Sequence, residues 1–99
     1  MKLPTVRKYP KVLHITPEVD YQLKFVRKLV DGGGNSLDGE CDSSEHLIKV
    51  RLGQSPEETF KTTLHEVIHA LSDEYDLELN EKKVRQLEKA LGDFLLMNF

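Results

Sequence analysis

A chain of 99 residues, with 14 Lys and Arg against 17 Asp and Glu and a net charge of −3, has room for one domain and none for a separate substrate-recognition unit. Its cations read as interspersed with acids and no apolar run approaches spanning length, so neither nucleic acid nor a membrane is expected as a partner. The single Cys41 excludes an internal disulfide and suits a reducing, cytoplasmic setting.

The first element is the short apolar run Lys11-Val12-Leu13-His14-Ile15, which reads as a strand. Thr16-Pro17-Glu18 then offers a cap and a first-turn proline, and Val19, Leu23, Val26 and Val30 repeat at helical spacing, so a helix is expected next. Asp31-Gly32-Gly33-Gly34-Asn35 stops it. No Gly-Lys-Ser or Gly-Lys-Thr follows these glycines, so they make a turn and not a phosphate loop. Ser36 to Cys41 is a weak strand candidate. His46, Ile48, Val50 and Leu52 alternate with Leu47, Lys49 and Arg51 as a half-buried strand does.

Ser55-Pro56-Glu57-Glu58 is a capping box with proline at the first helical position, and it opens a helix. Phe60, Leu64, Val67, Ile68 and Leu71 gather on one side of that helix, with Thr62, His65, Glu66, His69 and Asp73 opposite. Asp76 to Asn80 reads as a loop with Asn80 as the next N-cap, and Val84, Leu87, Leu91, Phe94 and Leu95 form the stripe of a last helix starting near Glu81. The expected order is strand, helix, strand, strand, helix, helix: a single α+β domain over residues 1–99 with a small sheet and three helices.

The run His65-Glu66-Val67-Ile68-His69 carries the chemistry. At about 100° per residue the two imidazoles lie one turn apart on one helix face and can hold the same zinc ion. Glu66 beside them can take a proton from a water that the metal has acidified. A third ligand must come from another segment, and Glu81 and Glu88 both lie along one edge of the last helix. If that helix returns antiparallel after about six residues, Glu88 comes back level with His69 and depth favours it. A steep crossing or a dipped loop would favour Glu81. Asp73, one turn past His69, is a candidate to orient an imidazole. Cys41 reads as an idle thiol, His14 and His46 receive no role, and Tyr21 and Tyr75 are phenols with no sequence reason to reach a cleft.

His65-Glu66-x-x-His69 followed by eighteen residues and Glu88 resembles the gluzincin arrangement of zinc peptidases, and Thr62 to Leu71 is similar to the extended zincin signature. The resemblance covers about residues 46 to 95. It departs from the thermolysin type, which has Asn before the ligand Glu and Asp four residues after it, where this chain has Leu87 and Gly92. In size and layout the chain looks more like the minimal zincin domains of bacterial and phage proteins, including ImmA-type peptidases, and in that comparison Glu81 matches the ligand. What the resemblance implies is a zinc peptidase acting on a protein or peptide substrate, with His65, His69 and a downstream Glu as ligands and Glu66 as base. In zincins an edge strand of the sheet also holds the substrate in extended form. The other reading is a zincin-fold module that keeps the metal and binds a partner protein without turnover.

Overall fold

A computed structural model describes residues 2–99. After a single 3-10 turn, Val6–Lys8, four strands run in succession: β1 (Val12–His14), β2 (Asp20–Val26), β3 (Gly39–Asp42) and β4 (Leu47–Arg51). Two helices follow, α1 (Pro56–Glu74) and α2 (Glu81–Asn98). The fold is α+β. The four strands form one sheet in the order β1-β2-β4-β3, with β2 and β4 parallel at its centre and antiparallel strands on either side.

The helix expected after Thr16-Pro17 is strand β2, so the chain has two long helices and not three. The helical spacing of Val19, Leu23 and Val26 competes with a period of two in the same residues. Tyr21 and Leu23 are buried while Asp20, Gln22 and Lys24 are exposed, and pairing with strands on both sides decides for the strand. The capping signal at Thr16 is real but closes a turn: Thr16 Oγ1 accepts from the N–H of Glu18 at 3.1 Å and of Val19 at 2.9 Å, and Ile15 N–H donates to Val19 C=O. Asp31 ties the glycine turn by accepting from the N–H groups of Gly33 and Asn35, and this turn links β2 to β3.

The charge distribution also differs from the even scatter expected. Residues 2–28 hold seven of the cations and only Glu18 and Asp20 among the acids, while the remaining seven cations share the rest of the chain with fifteen acids. The β1–β2 half is basic and the helical half acidic.

One face of the sheet packs on α1. Ile15, Tyr21, Leu23, Ile48, Val50 and Ala70 form the core there, with Val67 and Leu71 against it. Ser55 caps α1 as the sequence predicts, accepting from Glu58 N–H at 3.1 Å, and Asn80 caps α2 through Lys83 N–H at 2.9 Å. His69–Glu81, His65–Glu88 and the contact of Leu64 with Gly92 step in opposite directions along the two helices, so α2 returns antiparallel to α1. Helix α1 is therefore enclosed between sheet and α2, and its polar side faces protein as well as a cleft. No helix is long and apolar enough to cross a membrane.

Candidate metal centre

His65 and His69 lie on the α1 face turned to α2, their rings 5.0 Å apart. The Glu81 carboxylate spans both: Oε1 is 2.8 Å from His65 Nε2 and Oε2 is 3.0 Å from His69 Nε2. One donor atom each from His65, His69 and Glu81 falls within 4.8 Å of the others, a set able to hold a metal ion. Glu88 stands elsewhere. Its Oε1 is 2.8 Å from Nδ1 of His65, the nitrogen turned away from Glu81.

The loop explains why Glu81, and not Glu88, meets both imidazoles. Leu77 N–H donates to Ser72 C=O at 2.9 Å and Leu79 N–H to Ser72 Oγ at 3.0 Å, so the chain folds back along α1 before α2 begins. Asp76 and Glu78 adopt φ of 53° and 54° to make that descent. Helix α2 thus starts level with His69, and Glu88, two turns on, is level with His65.

Glu66 is 7% exposed and its carboxylate has no hydrogen-bond partner among the described residues. Burial pushes its pKa up to about 7; His65 opposes this, while Glu81, Glu40 and Glu88 add to it. Its carboxylate rests against β3. A Cβ at Gly39 would stand 2.9 Å from Glu66 Oε2 and 2.7 Å from Thr62 Cγ2, so only glycine lets the edge strand lie this close to the helix. Gly39 lies outside the stretch that resembles the zincin signature, and nothing in that signature assigns Thr62 a contact with it. The signal for Gly39 is a lone glycine within a strand candidate, which marks close backbone approach.

β3 ends the sheet. Arg51 N–H donates to Asp38 C=O, so by antiparallel alternation Asp38, Glu40 and Asp42 bond to β4, while the N–H and C=O groups of Gly39 and Cys41 point to the free edge. Beside that edge is an open cleft of about 470 Å³, bordered by Gly39, Thr62, His65, Glu66, Glu81 and Arg85.

The other candidates fall outside this centre. Asp73 accepts a short hydrogen bond from Ser43 and is not bonded to His69. Tyr21, fully buried, donates to Glu74 at 2.8 Å and stacks on His46, whose backbone sits at φ 50°. Tyr75 is half exposed at the end of α1, and His14 pairs with Asp20. Cys41 is partly buried and its pKa is pushed up to about 12, chiefly by burial, with Glu66, Asp73 and Asp42 adding to it.

No protein-family model, curated protein or solved structure matches the chain. Its functional reading rests on the site itself.

Proposed function

We propose that the chain is a minimal zinc-dependent peptidase of the zincin kind. His65, His69 and Glu81 hold the metal, Glu66 is the general base, and Glu88 orients His65 through Nδ1. The observation that carries this reading is the convergence of Glu81 on both Nε2 atoms with Glu66 alongside. Two imidazoles and one carboxylate from protein, with a cleft on the remaining side, is the donor set of catalytic zinc sites and suits zinc better than the all-oxygen surroundings of calcium or magnesium. Depth alone favoured Glu88 as third ligand. Glu81 is the better choice because the loop brings it to both rings, and a carboxylate on the far nitrogen of a ligating histidine fixes the ring and raises its basicity.

Zinc held by this set supplies an acidified water and a positive contact for a peptide carbonyl. The protein does the rest. Glu66, made a stronger base by burial, takes the proton and returns it to the leaving amine. Substrate lies extended along β3, pairing with the backbone of Gly39 and Cys41, which sets the scissile bond beside Glu66.

Metal analysis of purified protein, together with cleavage of an unfolded protein by wild type and by Glu66→Gln, tests the proposal. Stoichiometric zinc is expected in both proteins, with cleavage lower in the variant by about 10² to 10⁴. Bound zinc without Glu66-dependent cleavage would replace the peptidase by a metal-bearing binding module, and absence of zinc would remove both readings.

A further inference from the structure

Away from the candidate metal centre, two surfaces of the chain carry exposed, unpaired charge of opposite sign around exposed apolar groups. The first is a groove of about 570 Å³ between the segment Val6 to Val12 and strand β2. Its apolar lining includes Tyr9 and Phe25, packed edge to face at 5.3 Å, together with Val6 and Val12, which are 36% and 43% exposed. Arg7, Lys11 and Lys24 line it and no carboxylate does. None of these three cations, nor Lys8, Arg27 or Lys28 next to them in sequence, has an acidic partner among the described residues. Strand β1 beside the groove is an edge, and Leu23 N–H bonds to Lys11 C=O, so the backbone groups of Val12 and His14 face outward. Unpaired charge beside exposed apolar surface and an open strand edge are features of an interaction site.

The second surface is the tip of the α1–α2 loop. Leu77 is 52% exposed between Asp76 and Glu78, and both acids sit at positive φ and have no cationic partner among the described residues. The turn that these two residues make projects one leucine flanked by two carboxylates. Apolar floor with cationic rim and apolar tip with anionic flanks are complementary in the same chain.

We propose that one copy of the chain docks the Asp76-Leu77-Glu78 tip into the Val6–Val12/β2 groove of a second copy. Leu77 covers the apolar floor; the two carboxylates meet Arg7, Lys11 and Lys24. The contact joins unlike surfaces, so it closes into a dimer only where each copy offers tip and groove to the other at once, and otherwise extends. One tip in one groove is small against a permanent interface, so the association is weak and reversible, with a dissociation constant on the order of micromolar to millimolar. The tip lies three residues from Glu81, so docking would brace the segment that places this acid. The docking itself does not depend on metal.

Sedimentation velocity of the full chain from about 10 μM to about 1 mM, at low and high salt, tests this directly. Concentration-dependent association at low salt, weakened at least about tenfold at high salt, is expected. Two surface variants keep the test clear of folding effects: Arg7→Glu with Lys24→Glu reverses the groove, and Asp76→Lys with Glu78→Lys reverses the tip. Each should be monomeric on its own where wild type associates, and an equimolar mixture should associate again. A wild type that stays monomeric throughout, or associates equally in both variants, overturns the proposal. So does a monomer whose groove instead captures a labelled oligothymidylate or an acidic peptide from outside the chain, since the groove would then belong to a foreign polyanion.

Discussion

Glu88 Oε1 lies 2.8 Å from Nδ1 of His65, on the opposite side of the ring from Glu81. One imidazole is thus held between two carboxylates, and in the proposed reading Glu81 shares a metal with the ring while Glu88 aims it. Substituting each should separate the roles. Glu81→Gln removes a charged donor and is expected to weaken zinc binding by at least about a hundredfold. Glu88→Gln keeps a side chain of the same shape and is expected to cost about ten- to a hundredfold. Competition with a chromophoric chelator measures both, and a larger loss in Glu88→Gln than in Glu81→Gln would give the ligand role to Glu88.

Metal removal should appear in stability. A ligand that binds only the native state adds about 2.7 kcal/mol at a hundred times its dissociation constant. For a chain of this size that raises the melting temperature by on the order of 10 °C. Chelator should reverse the shift in wild type and do nothing to His69→Ala. A wild-type melting temperature indifferent to zinc and to chelator would exclude a metal from this centre.

Glu66 gives the metal-free protein a defined pH dependence. Its native pKa of about 7 lies above the ordinary 4.5, so the folded state binds the proton more tightly than the unfolded state does. Stability therefore falls as pH rises from about 4.5 to about 7, and the cost is complete above that range. In chelator, Glu66→Gln should be more stable than wild type at pH 8, by on the order of 1 to 2 kcal/mol after allowing for water drawn toward the carboxylate, with little difference at pH 4. Denaturant melts at the two pH values compare them; a gain confined to pH 4 would reverse the sign.

Gly39→Ala places a methyl group 2.7 Å from Thr62 Cγ2 and 2.9 Å from the Glu66 carboxylate. Forcing β3 away from α1 should cost about 1 to 3 kcal/mol, and part of it should return in Gly39→Ala with Thr62→Ser, which removes the nearer methyl. Thermal melts of the three proteins provide the check. An unchanged single variant would show that β3 is free to move off the helix.

Cys41 should be chemically quiet. With its pKa pushed up to about 12, little thiolate forms at pH 8, and labelling by a thiol reagent should be at least about a hundredfold slower in native than in unfolded protein. Rapid native labelling would mean that β3 opens readily at this position.

Local signals in the sequence held for the two long helices and for β4. Ser55 and Asn80 cap α1 and α2 as read, and the alternation of Ile48 and Val50 with Lys49 and Arg51 marks β4. Tyr21 and Leu23 were harder, because the residues of β2 carry both a helical and a strand periodicity and only their neighbours β1 and β4 arbitrate. Thr16 shows the same limit from another side, since an oxygen that can start a helix can equally close a turn. At the candidate site, His65, Glu66 and His69 were legible because one helical turn sets their relation. The choice between Glu81 and Glu88 was not, because it depends on how far the loop descends. Nor did the spread of Lys and Arg along the chain disclose that Arg7, Lys11 and Lys24 would line one groove.

The bonds that Ser72 accepts from Leu77 and makes with Leu79 have a reach beyond the loop. Glu81 and Glu88 are two full turns apart on α2, nearly equal in azimuth and separated along the axis by about 10 Å at 1.5 Å per residue. What distinguishes them is translation alone. The hinge thus works as a vernier: a few residues that donate nothing to an ion set the axial phase of the helix and, through it, which of two equivalent carboxylates becomes the inner one. Lengthening or releasing that connector would slide α2 along α1 and change which acid lies level with His69.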